Sequence, residues 1–412
     1  MRAGAVDADP AIESNRGLFV LLRHGLISAD SHANLKPDDF VTRMSSTRWG
    51  DRIPQVREVE QDGRSVERWV VDGRVMSTRC VANCAAVMGD PLRRTYPQRW
   101  EEVPRIAYEP LERLSAINAD GVDGEVLFFN DPLDSLALPF LKDADFELAC
   151  VQAYNDALAE WRAAADQYIT LALVPYLGGG AAAAQEVRRA AELGHRGIIM
   201  VAQPSMADDR LPNVNDRSWD PLWEALQELH MPVNWHAHAG IRLLPPKWQS
   251  HQALRRTAAF VVQPQFVSNF LLSGIADRFP RLTLVCAETG TGWLSYVFQA
   301  CDRVWEQSGS GRDDGRSKPS DIARRQIRTT FWYETAGIKA RSLLGTENIM
   351  WASDYPHGTS TYPRSVQSVD AVLEGVDDAD RRRLLCENVL ATYGVEYEDQ
   401  RESERAATLI RS

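Results

Sequence analysis

The chain is short of the groups that make a polyanion-binding face, a disulfide scaffold or a membrane anchor. It carries 46 Lys and Arg against 57 Asp and Glu, for a formal net charge of -11. A phosphate backbone needs clustered positive charge, so broad nucleic-acid binding is excluded. The short basic run Arg381, Arg382 and Arg383 falls in an amphipathic helical pattern and reads as a solvated helix face. Six cysteines (Cys80, Cys84, Cys150, Cys286, Cys301 and Cys386) lack the rhythm of a disulfide framework, which fits a reducing compartment. Cys80 and Cys84 have no second pair to complete a zinc site, and both read as structural thiols. The early apolar run LFVLL at 18–22 is too brief for a signal-peptide core or a bilayer span. A cytoplasmic protein with no membrane partner is expected. There is no internal repeat, and low complexity is confined to GGGAAAA at 178–184.

What is present is ordinary for a globular protein with a substantial core: 412 residues, 44% hydrophobic and 25% charged. Short apolar or β-branched runs recur at LISADSH (26–32), GEVLFFND (124–131), YITLALVPY (168–176), RGIIMVAQ (196–203), PVNWHAHAG (232–240), RLTLVCAET (281–289), IRTTFWYET (327–335) and NIMWASDYP (348–356). Helical stretches with 3.6-type apolar spacing lie between most of them. Eight buried strands alternating with helices predict an α/β fold, a distorted (β/α)8 TIM barrel. The predicted organisation is an N-terminal extension at 1–25, a barrel over 26–395 and a polar, loosely held tail at 396–412. Residues 33–108 form a large insertion after strand one, and QDGRSVERWVVDGRV within it reads as a hairpin with Asp-Gly turns. An insertion there would sit over the C-terminal mouth of the barrel, as a lid or as a dimerisation arm of a homodimer.

Histidine is scarce too, at eight residues, yet two fall two apart in WHAHAG at 235–240. Side chains at i and i+2 of a strand share a face, so His236 and His238 can reach one point. Other strand ends carry matching groups: Asp30 and His32 on strand one, Glu288 on strand six, Asp354 and then His357 after strand eight. Carboxylates and imidazoles drawn from separate strands suit a divalent metal. His24, His195, His230 and His251 lie away from the mouth and receive no role. Trp235, Trp293, Trp332 and Tyr333 near strand ends suggest apolar pocket walls, with Trp235 and Trp332 the candidate substrate contacts beside His357; Phe128 and Phe129 read as core.

The SADSH after strand one, ETGTGW on strand six, WASDYPH on strand eight and ENVLATYG near the end resemble the amidohydrolase superfamily. They are most similar to its branch of aminocarboxymuconate-semialdehyde-decarboxylase-like hydrolases, over about residues 26–395. The resemblance implies metal ligation by Asp30, His32, His236 and Asp354, with Asp354 also handling protons, and one or two divalent ions (zinc, iron or manganese). Decarboxylases of that branch carry a histidine at the end of strand six where this chain has Glu288, and many relatives carry a glutamate where Leu35 stands.

Two reactions on a small-molecule substrate follow. A divalent ion lowers the pKa of coordinated water to about 7, and Asp354 can accept its proton, so the first reading is hydrolysis of an ester, thioester or amide of a bulky organic acid. The alternative is non-oxidative decarboxylation of an aromatic or unsaturated acid, with Glu288 as the acid if burial raises its pKa. Glu288 and His238 could instead hold a second ion. A barrel without catalysis, kept as a binding protein, is disfavoured by the intact Asp30, His32, His236 and Asp354.

Overall fold

The eight apolar runs become eight parallel strands because each is covered on both faces, by its neighbours inside the barrel and by helices outside. The computed structural model describes residues 19–77, 79–89, 95–133, 138, 141–237, 252–309 and 315–400. In chain order the strands are β1 (Phe19–Leu22), β2 (Ile27–His32), β3 (Gln55–Gln61), β4 (Arg64–Val71), β5 (Arg74–Val75), β6 (Gly124–Phe128), β7 (Tyr168–Leu173), β8 (Gly197–Ile199), β9 (Val233–His236), β10 (Leu284–Ala287), β11 (Ile327–Phe331), β12 (Ile349–Trp351) and β13 (Glu396–Asp399). β2 and β6 to β12 form one sheet in sequential order, the arrangement of a (β/α)8 barrel. The helices Ala144–Ala164, Gly179–Glu192, Asp220–Leu229 and Leu294–Ser308 fall where the 3.6 spacing predicts them. Asp143 caps the first of these by accepting from the Asp145 and Phe146 amides. Among the described residues no helix is long and apolar enough to cross a membrane, and all six cysteines are free and buried.

The barrel closes irregularly. Between β12 and β2 there is an isolated bridge, Ser31 with Tyr355, beside a register shift in β2 between Ser28 and Ser31. The seam is held by Asp354 N donating to Asp30 O (2.9 Å) and His32 N donating to Tyr355 O (2.6 Å). The hydroxyls of Ser28, Ser31 and Ser353 bond to one another at 2.9–3.0 Å inside it.

The insertion begins as predicted, with β3 and β4 antiparallel around Asp62-Gly63, both at positive φ (52° and 72°). Asp72-Gly73 repeats the device at φ 50° and 76° before β5. The hairpin also packs inward. Trp69 and Val71 are each 1% exposed and belong to the main core. Further along, Ala86 N donates to Pro356 O (3.0 Å), and Ile106 O accepts from the Tyr355 hydroxyl (2.9 Å), so the insertion is fastened to the turn after β12.

The chain ends also differ from expectation. β1 pairs in parallel with β13, Phe19 opposite Glu396, so the run expected to be a loose tail opens with a strand. Three of the four β13 residues are exposed, which is why its sequence reads as polar; the backbone makes the pairing.

Candidate metal centre

Strand alternation places Asp30 and His32 on the same side at the end of β2, and His236 ends β9. Asp354 stands three residues beyond β12, and Glu288 one residue beyond β10. Both take a left-handed backbone, at φ 56° and 55°. Among non-glycine residues that conformation is uncommon and is held in place by its surroundings. Asp354 N is fixed to Asp30 O, and Glu288 N donates to Thr330 Oγ1 (3.0 Å).

The side chains converge. His32 Nε2 lies 3.5 Å from Asp30 Oδ1 and 3.4 Å from Asp354 Oδ1. His236 Nε2 lies 3.6 Å from Asp30 Oδ2 and 3.3 Å from Glu288 Oε2. Asp30, His32 and His236 offer donor atoms within 4.8 Å of one another, and so do His32, Asp354 and His357. His32 Nδ1 donates to Phe129 O (2.6 Å), which fixes its tautomer and leaves Nε2 as the ligand atom. Both Asp30 carboxylate oxygens are buried without a hydrogen-bond partner among the described residues. Buried polar atoms are ordinarily satisfied, so a carboxylate with both oxygens orphaned beside an imidazole nitrogen fits a cation.

Electrostatics divide these groups. Burial pushes the Asp30 carboxyl up to about 7. Burial opposes charge on His32, but its hydrogen bond to Asp354 and the charge of Asp30 hold its pKa above the ordinary value. Burial, then the charge of His32, presses His236 down to about 3. Asp354 is buried too, yet His357 and His32 keep its carboxyl well below the usual range. A neutral His236 and an ionised Asp354 are the forms that ligate a metal.

The structure therefore brings Asp30, His32, His236 and Asp354 together, with Glu288 beside His236. His357, expected at the substrate, reaches further in: its ring stacks on His32 at 3.8 Å between centroids, and Nδ1 lies 2.9 Å from Asp354 Oδ1. His238 lies outside the described residues. Trp235 does not line the site; it adjoins His236 on the strand, so alternation turns it outward, edge-on to Phe270 at 6.1 Å. Trp332 is buried just past β11, its ring edge-on to Tyr333 at 4.7 Å. Phe128 and Phe129 are not core alone, for they flank the His236 ring at 5.3 and 5.7 Å. Sequence reasoning missed Thr359, whose hydroxyl donates to Asp354 Oδ2; its position five residues on in the same turn was the available signal.

A family model for amidohydrolases matches residues 29–395. This chain belongs to the amidohydrolase family. No curated protein matches this amidohydrolase. Among solved structures it is similar to an amidohydrolase from Mycobacterium avium subsp. paratuberculosis K-10, with 20% identity, TM-score 0.71, and 90% of this chain and 100% of that one covered. It is similar to a 5-carboxyvanillate decarboxylase from Novosphingobium aromaticivorans with bound manganese and 3-methoxy-4-hydroxy-5-nitrobenzoic acid, with 16% identity, TM-score 0.64, and coverage of 91% and 100%. A dihydroxybenzoic acid decarboxylase from Polaromonas sp. JS666, with manganese and the inhibitor 2-nitroresorcinol, gives 20% identity, TM-score 0.57, and coverage of 72% and 89%. The expected family holds, and the side chains expected to ligate a divalent ion include a group of mutually close donors.

Proposed function

We propose that this amidohydrolase is a carboxy-lyase that removes carbon dioxide from an aromatic carboxylic acid, with one divalent ion in place. The reading takes its substrate class from the manganese-binding decarboxylases it is similar to, and it reverses the order of the two reactions expected from the sequence. Asp30, His32, His236 and Asp354 would hold the ion. The two donor triads share His32 Nε2, which has one lone pair, so they would not each hold an ion. When bound, the ion supplies positive charge that anchors an anionic substrate and offsets the negative charge that develops on it.

The observation that carries the reading is the Asp354–His357 pair. Hydrolysis needs a carboxylate at leisure to take a proton from water. Here Asp354 Oδ2 accepts from Thr359, and Oδ1 faces His357 at 2.9 Å and His32 at 3.4 Å. The imidazole is the group left with a task. Asp354 orients His357 through Nδ1, and His357 Nε2 is buried with no hydrogen-bond partner among the described residues. In the proposed step the bond between ring carbon and carboxylate breaks and carbon dioxide departs. The electron pair stays on the ring carbon, which takes a proton from His357 Nε2. With Nδ1–H turned to Asp354, Nε2 carries that proton only in the imidazolium form, so solvent delivers a proton to Nε2 before the transfer and again after it. Phe129, which flanks the His236 ring, would supply an apolar wall for an aromatic ring.

The test is a panel of hydroxybenzoic acids with manganese-loaded protein in deuterium oxide. Carbon dioxide and a phenol carrying deuterium at the former carboxyl position are expected. His357→Asn should keep its manganese and lose about 10²- to 10⁴-fold in kcat. An ester or amide substrate whose acid product takes up oxygen from labelled water, with no carbon dioxide from any acid, would overturn the assignment.

A further inference from the structure

Arg113 and Glu125 form a fully buried ion pair outside the metal centre, both 0% exposed. Arg113 comes from the helix Pro110–Ala119, and Glu125 from β6. The contact is bidentate, Nε to Oε2 at 2.7 Å and Nη2 to Oε1 at 3.1 Å. The guanidinium does not stop there. Nη1 donates to His32 O at 2.6 Å, Nη2 to Tyr355 O at 3.4 Å, and its plane lies over the Tyr355 ring at 4.4 Å. One side chain thus joins β6 to the backbone of a metal-ligand residue and to that of the residue after Asp354. It does so where regular pairing is lacking, since Ser31 and Tyr355 make an isolated bridge there.

Stability alone does not explain this. Taking both charges out of water costs several kcal/mol per ion, and well-packed apolar residues in place of a buried pair are often neutral or stabilising. What an apolar pair cannot do is bond two carbonyls in a fixed fork, which the planar guanidinium does. A His32 carbonyl free to rotate would change the direction of the His32 ring and its 3.4 Å approach to Asp354. Metal ligands need such orientation from the groups behind them.

We infer that Arg113, anchored by Glu125, is a positioning residue that sets the spacing of His32 and Asp354 across the barrel seam and thereby the affinity of the site for a divalent cation. The inference rests on those residues being metal ligands and is independent of the reaction they serve.

The experiment measures Mn²⁺ affinity by competition with a chelator, and thermal unfolding of the metal-free protein. It compares the full-length wild type, the charge-keeping variant Arg113→Lys and the apolar double variant Arg113→Met/Glu125→Leu. Wild type should bind Mn²⁺; if it does not, the metal assignment itself falls. Given that it does, the double variant should unfold within a few degrees of wild type and bind Mn²⁺ about 10- to 100-fold more weakly. Arg113→Lys keeps the charge but not the fork and should fall between the two. Wild-type affinity in a folded double variant overturns the inference. If the double variant does not fold, Arg113→Lys decides on the same reading: weakened Mn²⁺ binding at a retained unfolding temperature supports a positioning role, and unchanged binding overturns it.

Discussion

Glu288 is the residue on which the alternatives part. It sits at φ 55° with its carboxylate 3.3 Å from His236, yet it belongs to neither group of mutually close donors. Glu288→Gln should therefore leave about one manganese per chain while changing kcat or KM, read by metal analysis beside steady-state kinetics. A fall from about two ions toward one would restore a two-metal centre. At this scale alternation carried much of the site: Asp30 and His32 are two apart on a strand, and their convergence was legible. The same rule would have turned Trp235 away, because it adjoins His236. The inward reach of His357 and the bond from Thr359 were not legible, because the backbone of a turn at Asp354, φ 56°, decides where those side chains go. Nothing in the sequence marks Arg113 among the polar residues of its helix, because its pairing with Glu125 exists only once helix and strand are packed together.

The barrel strands could be read from the sequence because burial on both faces leaves continuous apolar runs, and the helices because burial on one side leaves a 3.6 period. The hairpin of the insertion was legible from its Asp-Gly turns. Its attachment was not, because that depends on tertiary packing that buries Trp69 and Val71 in the main core and on bonds from the insertion to Tyr355 and Pro356. Those contacts make the hairpin part of the main core. Trp69→Ala should destabilise the protein by about 3–5 kcal/mol in urea unfolding. A loss below about 1 kcal/mol would return the hairpin to the status of an appendage.

For the whole molecule, acid tolerance turns on a group far from the mouth. His195 is 2% exposed and bonds Asn155 O through Nε2 at 3.0 Å, and burial holds its pKa down from 6.5 to about 4. The folded state therefore binds fewer protons than the unfolded one between those values, and stability is lost as pH falls from about 6.5 to about 4, by up to about 3 kcal/mol for this group. His195→Gln should shrink the acid loss by that amount, read as the difference in unfolding free energy between variant and wild type at pH 7 and pH 4. Equal pH dependence in the two proteins would remove His195 from the account. The pairing of β1 with β13 acts at the same scale, in time. On the ribosome Phe19–Leu22 is made before any barrel strand, and Glu396–Asp399 after all of them. Val20 and Leu22, both 0% exposed once folded, have no strand partner until translation has passed Asp399. The apolar residues of β1 thus wait through the synthesis of the barrel strands, and their backbone is paired only once β13 has emerged.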